Sequence, residues 1–193
     1  MNTVSTERLP GVTYVISDTG PLISVFQSDS FGLLTQVFGA VLISMTCFDE
    51  LKEHGWETEI DLVAPHLHRL TLAAEEKKQA LTFAQQIARH AETNDRVADH
   101  HLGEAEAIVL ALRPDYRDDL LLLDETAARS VAKQAGVKFS GFPGVLLLAV
   151  QSGLISAKEL KTRLERCRAQ GTHYGEMFIQ QVYTMAKQRR RSQ

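Results

Sequence analysis

Four acidic residues stand where mixed α/β chains tend to build chemistry. Asp18 ends the apolar run Val12–Ser17 in VISDTGPLI, and Asp124 ends the run Leu120–Leu123 in LLLLD. Glu50 lies in the helical stretch CFDELKE that follows a further apolar run, and Glu104 opens LGEAEAIVLALR, a helical stretch otherwise almost wholly apolar. Hard divalent cations such as Mg²⁺ and Mn²⁺ take carboxylate oxygens, waters and a substrate phosphate oxygen. A pair of such ions roughly 3.5–4 Å apart can activate a water and stabilise a leaving oxygen in phosphodiester cleavage. Asp18, Glu50, Glu104 and Asp124 suit that use. Each also has an ordinary one: Asp is a favoured helix N-cap, first-turn acids complement the helix dipole, and Glu50 and Glu53 share a helix edge that solvent could cover.

The elements that would carry these acids can be read from the apolar pattern. Short runs at Val12–Ser17, Val41–Ser44, Leu120–Leu123 and Val137–Ser140 are flanked by turn residues. Three are continuously apolar, as for strands covered on both faces. Helical patterns lie between them. TCFDELKEHG has Thr46 as N-cap and Gly55 as stop, ETAARSVAKQAG is stopped by Gly136, and SAKELKTRLERCRAQG begins at Ser156. Alternation of this kind predicts a parallel sheet with helices on both faces, and in such sheets ligands bind beyond the carboxyl ends of the strands. Residues 57–101 are read as a helical insertion. Within it Leu81, Ala84, Ile87, Ala88 and Ala91 form one apolar face, and NDRVADHH is a polar loop.

The tripeptide Asp18-Thr19-Gly20 is also the mark of aspartic proteases. Those enzymes are all-β, whereas about half of this chain reads as helix, well above the globular average. Gly20 and Pro21 instead suit a turn from a strand into a helix.

The motifs VISDTGPLI, CFDELKE, LGEAEAIVLALR and LLLDETAARSVAKQAGVKFSGFPGVLLLAVQSGLI, in this order, resemble the PIN-domain nucleases, specifically a short prokaryotic VapC-like branch. The resemblance covers residues 12–155, leaving 156–193 as a C-terminal helical extension with a basic tail. It implies a three-layer α/β/α sandwich around a parallel sheet of four to five strands, and Mg²⁺- or Mn²⁺-dependent hydrolysis of RNA. It further implies that Asp18, Glu50, Glu104 and Asp124 hold the metal and carry catalysis. Glu106 and Glu125 are the adjacent candidates if the register shifts, and Thr19 is an orienting hydroxyl. Many members are dimeric toxins held inactive by a small antitoxin partner, which implies a homodimer here. Two departures stand out: residues 57–101 are longer than compact members require, and Phe142 stands where a small hydroxyl residue is expected. The alternative is a catalytically idle module that binds RNA or a protein partner.

Composition narrows the remaining classes. The 193 residues suit one domain with an appendage, and the net charge of −3 offers no global attraction for nucleic acid. Cys47 and Cys167 belong to no metal-binding or disulfide pattern. No signal-like N-terminus or membrane-length apolar run is present, which points to a cytoplasmic protein without a membrane role. The seven histidines, including His66, His68, His100 and His101, are assigned to loops or surface. Arg129 could reach a substrate phosphate or pair with a nearby acid. Met177, Phe178, Val182, Tyr183 and Met185 form an apolar stripe that calls for a cover.

Overall fold

A computed structural model describes residues 13–189, apart from the side chain of Arg189; Val12 and most of the basic tail lie outside the described residues. Strands β1 (Tyr14–Ser17), β2 (Ala40–Ser44), β3 (Leu67–Leu70), β4 (Leu120–Leu122) and β5 (Phe139–Ser140) form one wholly parallel sheet in the order β3-β2-β1-β4-β5. The helices are α1 (Thr19–Gln27), α2 (Phe31–Phe38), α3 (Met45–Glu53), α4 (Glu57–Val63), α5 (Ala74–Arg89), α6 (Leu102–Ala111), α7 (Thr126–Gln134), α8 (Phe142–Gln151), α9 (Ala157–Ala169) and α10 (Glu176–Arg189).

Although β1 and β2 are buried along their whole length, their side chains still alternate between two cores. Val15, Val41, Ile43 and Leu122 pack with residues of α1, α2, α8, α9 and α10. Tyr14, Ile16, Leu42, Leu121 and Leu123 pack with α5, α6 and α7. The result is a three-layer α/β/α sandwich with a sheet of five strands. The chain winds outward from β1 to β3 on one side and from β4 to β5 on the other, so the switch point lies between β1 and β4. A crevice opens at such a point beyond the strand ends.

The sequence reading needs correction in several places. Residues 57–101 contribute a strand as well as helices: β3 is an edge strand whose Leu67 and Leu70 are buried while Arg69 is exposed, so only two apolar residues announce it. Ser44 rather than Thr46 caps α3, its hydroxyl accepting from Cys47 N at 3.1 Å. On α5 the buried face is Ala80, Ala84, Ile87 and Ala88, and Leu81 is exposed. Ile179, Val182 and Ala186 bury the inner face of α10, while Met177, Phe178 and Met185 face out. Phe142 is a fully buried core residue at the start of α8. Ser156 does cap α9, with a reciprocal bond from Glu159 back to its backbone. Among the described residues no helix is long and apolar enough to cross a membrane.

Candidate metal centre

At the end of β1 the chain stays extended through Asp18, which caps α1 and accepts a long bond from Gly20 N at 3.4 Å. Asp18 is buried, and its own N–H donates to Leu122 O of β4, which ties the acid to the switch point. Beside it, the Thr19 hydroxyl donates to Glu50 Oε2 in a short hydrogen bond. Glu50 reaches over from α3, whose Cys47 thiol lies 3.8 Å from Asp18 Oδ1 and 3.5 Å from Gly103 O. Gly103 gives Glu50 its space: a Cβ there would stand 3.0 Å from both carboxylate oxygens. Glu104 follows from the first turn of α6.

These three acids repel one another in a dry setting. Burial pushes the Asp18 carboxyl well above the usual range, and the charges of Glu104 and Glu50 push it further. Burial also raises Glu50, against the opposing bond from Thr19. Glu104 is raised to about 7, by burial first and then by the charges of Glu125 and Glu50. The Cys47 thiol is driven well up by burial, then by Asp18 and Glu50, so it stays protonated. Glu106, two residues further along α6, adds its charge to Glu50.

Asp124 is elsewhere. It accepts from Arg129 at 3.2 Å and from the Tyr174 hydroxyl at 3.4 Å, and its pKa is raised by burial against the opposing pull of Arg129. Arg129 also donates to Leu123 O at 2.7 Å, so it serves as the ion-pair partner of Asp124. The next residue, Glu125, turns to the acid cluster instead, because consecutive residues of extended chain face opposite sides of the sheet. Its Oε1 accepts from Thr93 at 3.3 Å, and its Oε2 lies 3.8 Å from His101 Nδ1. The structure thus brings Asp18, Glu50 and Glu104 together, adds Glu125, and gives Asp124 different partners, Arg129 and Tyr174.

Sequence reasoning missed Cys47, His101 and Tyr174. His101, expected in a loop or on the surface, is buried at the end of the 3₁₀ turn Ala98–His101. One signal for it was available: it immediately precedes a buried helix that begins LGEAEA, so its side chain had little chance of facing solvent.

Donor atoms of Asp18, Cys47 and Glu50 lie within 4.8 Å of one another, as do those of His101, Glu104 and Glu125. Among the described residues, no lysine or arginine pairs with Asp18, Glu50, Glu104 or Glu125. Buried and half-buried carboxylates with no lysine or arginine partner among the described residues, and with one unpartnered oxygen at Glu125, fit a divalent cation. The neighbouring cavity, about 730 Å³, runs from Gly20 and Glu125 past Arg129 to Tyr174 and Phe178.

No curated protein matches the chain in sequence. The family model DUF3368, described as a PIN domain, matches residues 14–188, which takes in every strand and nearly all of α10. PIN domains are typically metal-dependent nucleases, and acidic residues that could hold a metal ion lie at the carboxyl edge of the sheet here. With the match covering almost the whole chain, this protein belongs to the PIN-domain family.

Proposed function

We propose that the protein is a Mg²⁺- or Mn²⁺-dependent endoribonuclease in which Asp18, Glu50, Glu104 and Glu125 hold the cation. The observation that carries this reading is the crowding of Asp18, which is buried, with the part-buried Glu50 and Glu104, with no lysine or arginine among the described residues paired to them. A bound divalent cation lowers the pKa of a water and offsets charge on the phosphoryl oxygens. The protein's own groups supply position. Thr19 fixes the Glu50 carboxylate, Gly103 leaves it room, and the Leu122 carbonyl fixes the backbone of Asp18. Asp124 acts one step removed: it holds Arg129 and the Tyr174 hydroxyl at the cavity wall, where the guanidinium edge faces an incoming phosphate.

The partner reading extends this. Met177, Phe178, Met185 and Leu148 are exposed apolar side chains, and we assign them to contact with a small antitoxin protein or with a second copy of this chain in the cytoplasm. The enzyme assignment is tested with rigorously purified protein on RNA oligonucleotides, with and without chelator. Cleavage should require Mg²⁺ or Mn²⁺ and vanish in Asp18→Asn with the fold intact by circular dichroism. Unchanged cleavage by that variant sinks the assignment, and a protein that takes up no Mn²⁺ at millimolar concentration is an idle module instead.

A further inference from the structure

Two of the three buried side-chain polar atoms that lack a hydrogen-bond partner among the described residues face each other: His101 Nδ1 and Glu125 Oε2, 3.8 Å apart. Glu104 Oε1 lies 3.9 Å from the same nitrogen. The other ring nitrogen settles the chemistry of this one. His101 Nε2 is 3.0 Å from the carbonyl oxygen of Asp95, and a carbonyl only accepts, so Nε2 carries the hydrogen. In the neutral ring Nδ1 therefore presents a lone pair to two carboxylates, inside a pocket where the imidazole is only 6% exposed. At 3.8 and 3.9 Å neither contact is a hydrogen bond. Three electron-rich atoms pointed at one buried gap call for a cation between them. Two donors each about 2.1 Å from a shared ion stand about 3.0–3.8 Å apart at ligand angles of roughly 90–130°. The observed spacings of 3.8 and 3.9 Å sit at and just beyond the wide end of that range.

The surroundings are those of a ligand rather than a packed core histidine. Metal-bound histidines commonly donate their second ring N–H to a backbone carbonyl or carboxylate, which fixes tautomer and orientation. Here Asp95 supplies the carbonyl, and the loop that carries it is itself pinned. Asp95 Oδ1 accepts from Val97 N at 2.8 Å, Oδ2 pairs with His100 Nδ1 at 2.7 Å, and the single hydroxyl hydrogen of Thr93 is shared between Asp95 O at 2.9 Å and Glu125 Oε1 at 3.3 Å.

We propose that His101 Nδ1, Glu104 and Glu125 form a mixed nitrogen–oxygen cation position that favours a first-row transition ion such as Mn²⁺ over Mg²⁺. An imidazole nitrogen is a poor donor for Mg²⁺, which keeps oxygen ligands and waters, and a better one along the transition series. This rests on the nuclease reading and adds to it a named nitrogen ligand and an order of metal preference.

Electron spin echo spectroscopy of Mn²⁺ added to the full-length protein reads the ligand directly. The wild type should show ¹⁴N modulation from a coordinated imidazole, and His101→Gln should lose it. Mn²⁺ affinity should fall about tenfold or more in that variant, with Mg²⁺ competing against Mn²⁺ more evenly than in the wild type. Glu125→Gln, which keeps the histidine, should also weaken the modulation, and it serves if His101→Gln fails to fold. Bound Mn²⁺ without ¹⁴N modulation, or modulation that persists in both variants, overturns the proposal while leaving the acid centre standing. No bound Mn²⁺ at all overturns both.

Discussion

The Glu104→Gln substitution should flatten the pH dependence of the metal-free protein's stability. Glu104 is raised from 4.5 to about 7, by burial first and then by the neighbouring charges of Glu125 and Glu50. The folded state therefore keeps a proton that the unfolded chain has released. Its contribution is greatest below pH 4.5, declines as pH rises from 4.5 to about 7, and is flat above that. A displacement of that size corresponds to about 3 kcal/mol between the two plateaus. The Glu104 side chain is only 18% exposed, so solvent screens little of it. For a chain of this length, about 3 kcal/mol is on the order of 6–12 °C in melting temperature. Urea denaturation in chelator at pH 5 and pH 8 measures it. The wild type should lose stability between the two, and Glu104→Gln should lose clearly less, leaving a remainder from Asp18 and Glu50. Added Mn²⁺ should restore the wild type at pH 8, because an ion that binds only the folded carboxylates shifts the equilibrium toward them. An equal decline in wild type and variant would refute the argument that buried like charge at this centre sets the slope.

Three further outcomes follow from the contacts. Glu125→Gln should weaken Mn²⁺ binding more than Asp124→Asn, which instead should loosen Tyr174 and Arg129 at a cost of about 1 kcal/mol by urea denaturation. Gly103→Ala places a methyl 3.0 Å from both Glu50 oxygens and also gains about 1 kcal/mol of helix propensity, so calorimetry should show weaker Mn²⁺ binding with the melting temperature unchanged or raised. Arg113→Ala removes two bonds to Glu76, at 2.7 and 2.8 Å, and one to Thr71 O that together tie the end of α6 to the start of α5. It should cost about 2–3 kcal/mol without changing metal affinity.

The layered fold was legible because β1, β2 and β4 are dense apolar runs, which only a sheet covered on both faces accommodates. The edge strand β3 was not, since Leu-His-Arg-Leu buries only its two leucines, with His68 half-buried and Arg69 exposed. The face of α5 was misjudged for a related reason. Alanines supply most of the buried face of α5 and mark a face only weakly, so the expected stripe ran through Leu81 and Ala91, which are exposed, and left out the buried Ala80. On α10 the largest apolar residues, Met177, Phe178 and Met185, are the exposed ones. Size marks an apolar residue; only packing says which side of a helix is inner.

The acid at the end of β4 shows what further reasoning could have extracted. On β1, Ile16 faces the core of α5, α6 and α7, so Asp18, two residues on in extended chain, faces α6 as well. On β4 the same core takes Leu121 and Leu123, and the parity continues to Glu125, whose backbone is still extended. Asp124 has the parity of Leu122 and so faces α8 and the chain around Tyr174. Since Glu104 starts α6, the acids that can meet it are those with the parity of Asp18 on β1 and of Glu125 on β4. Position at a strand end is therefore too coarse a criterion for a ligand. The side of the sheet on which the partner helix lies separates neighbouring carboxylates, and here it places Glu125 beside Glu104, which is why the proposed ligand set takes the second of the pair Asp124–Glu125.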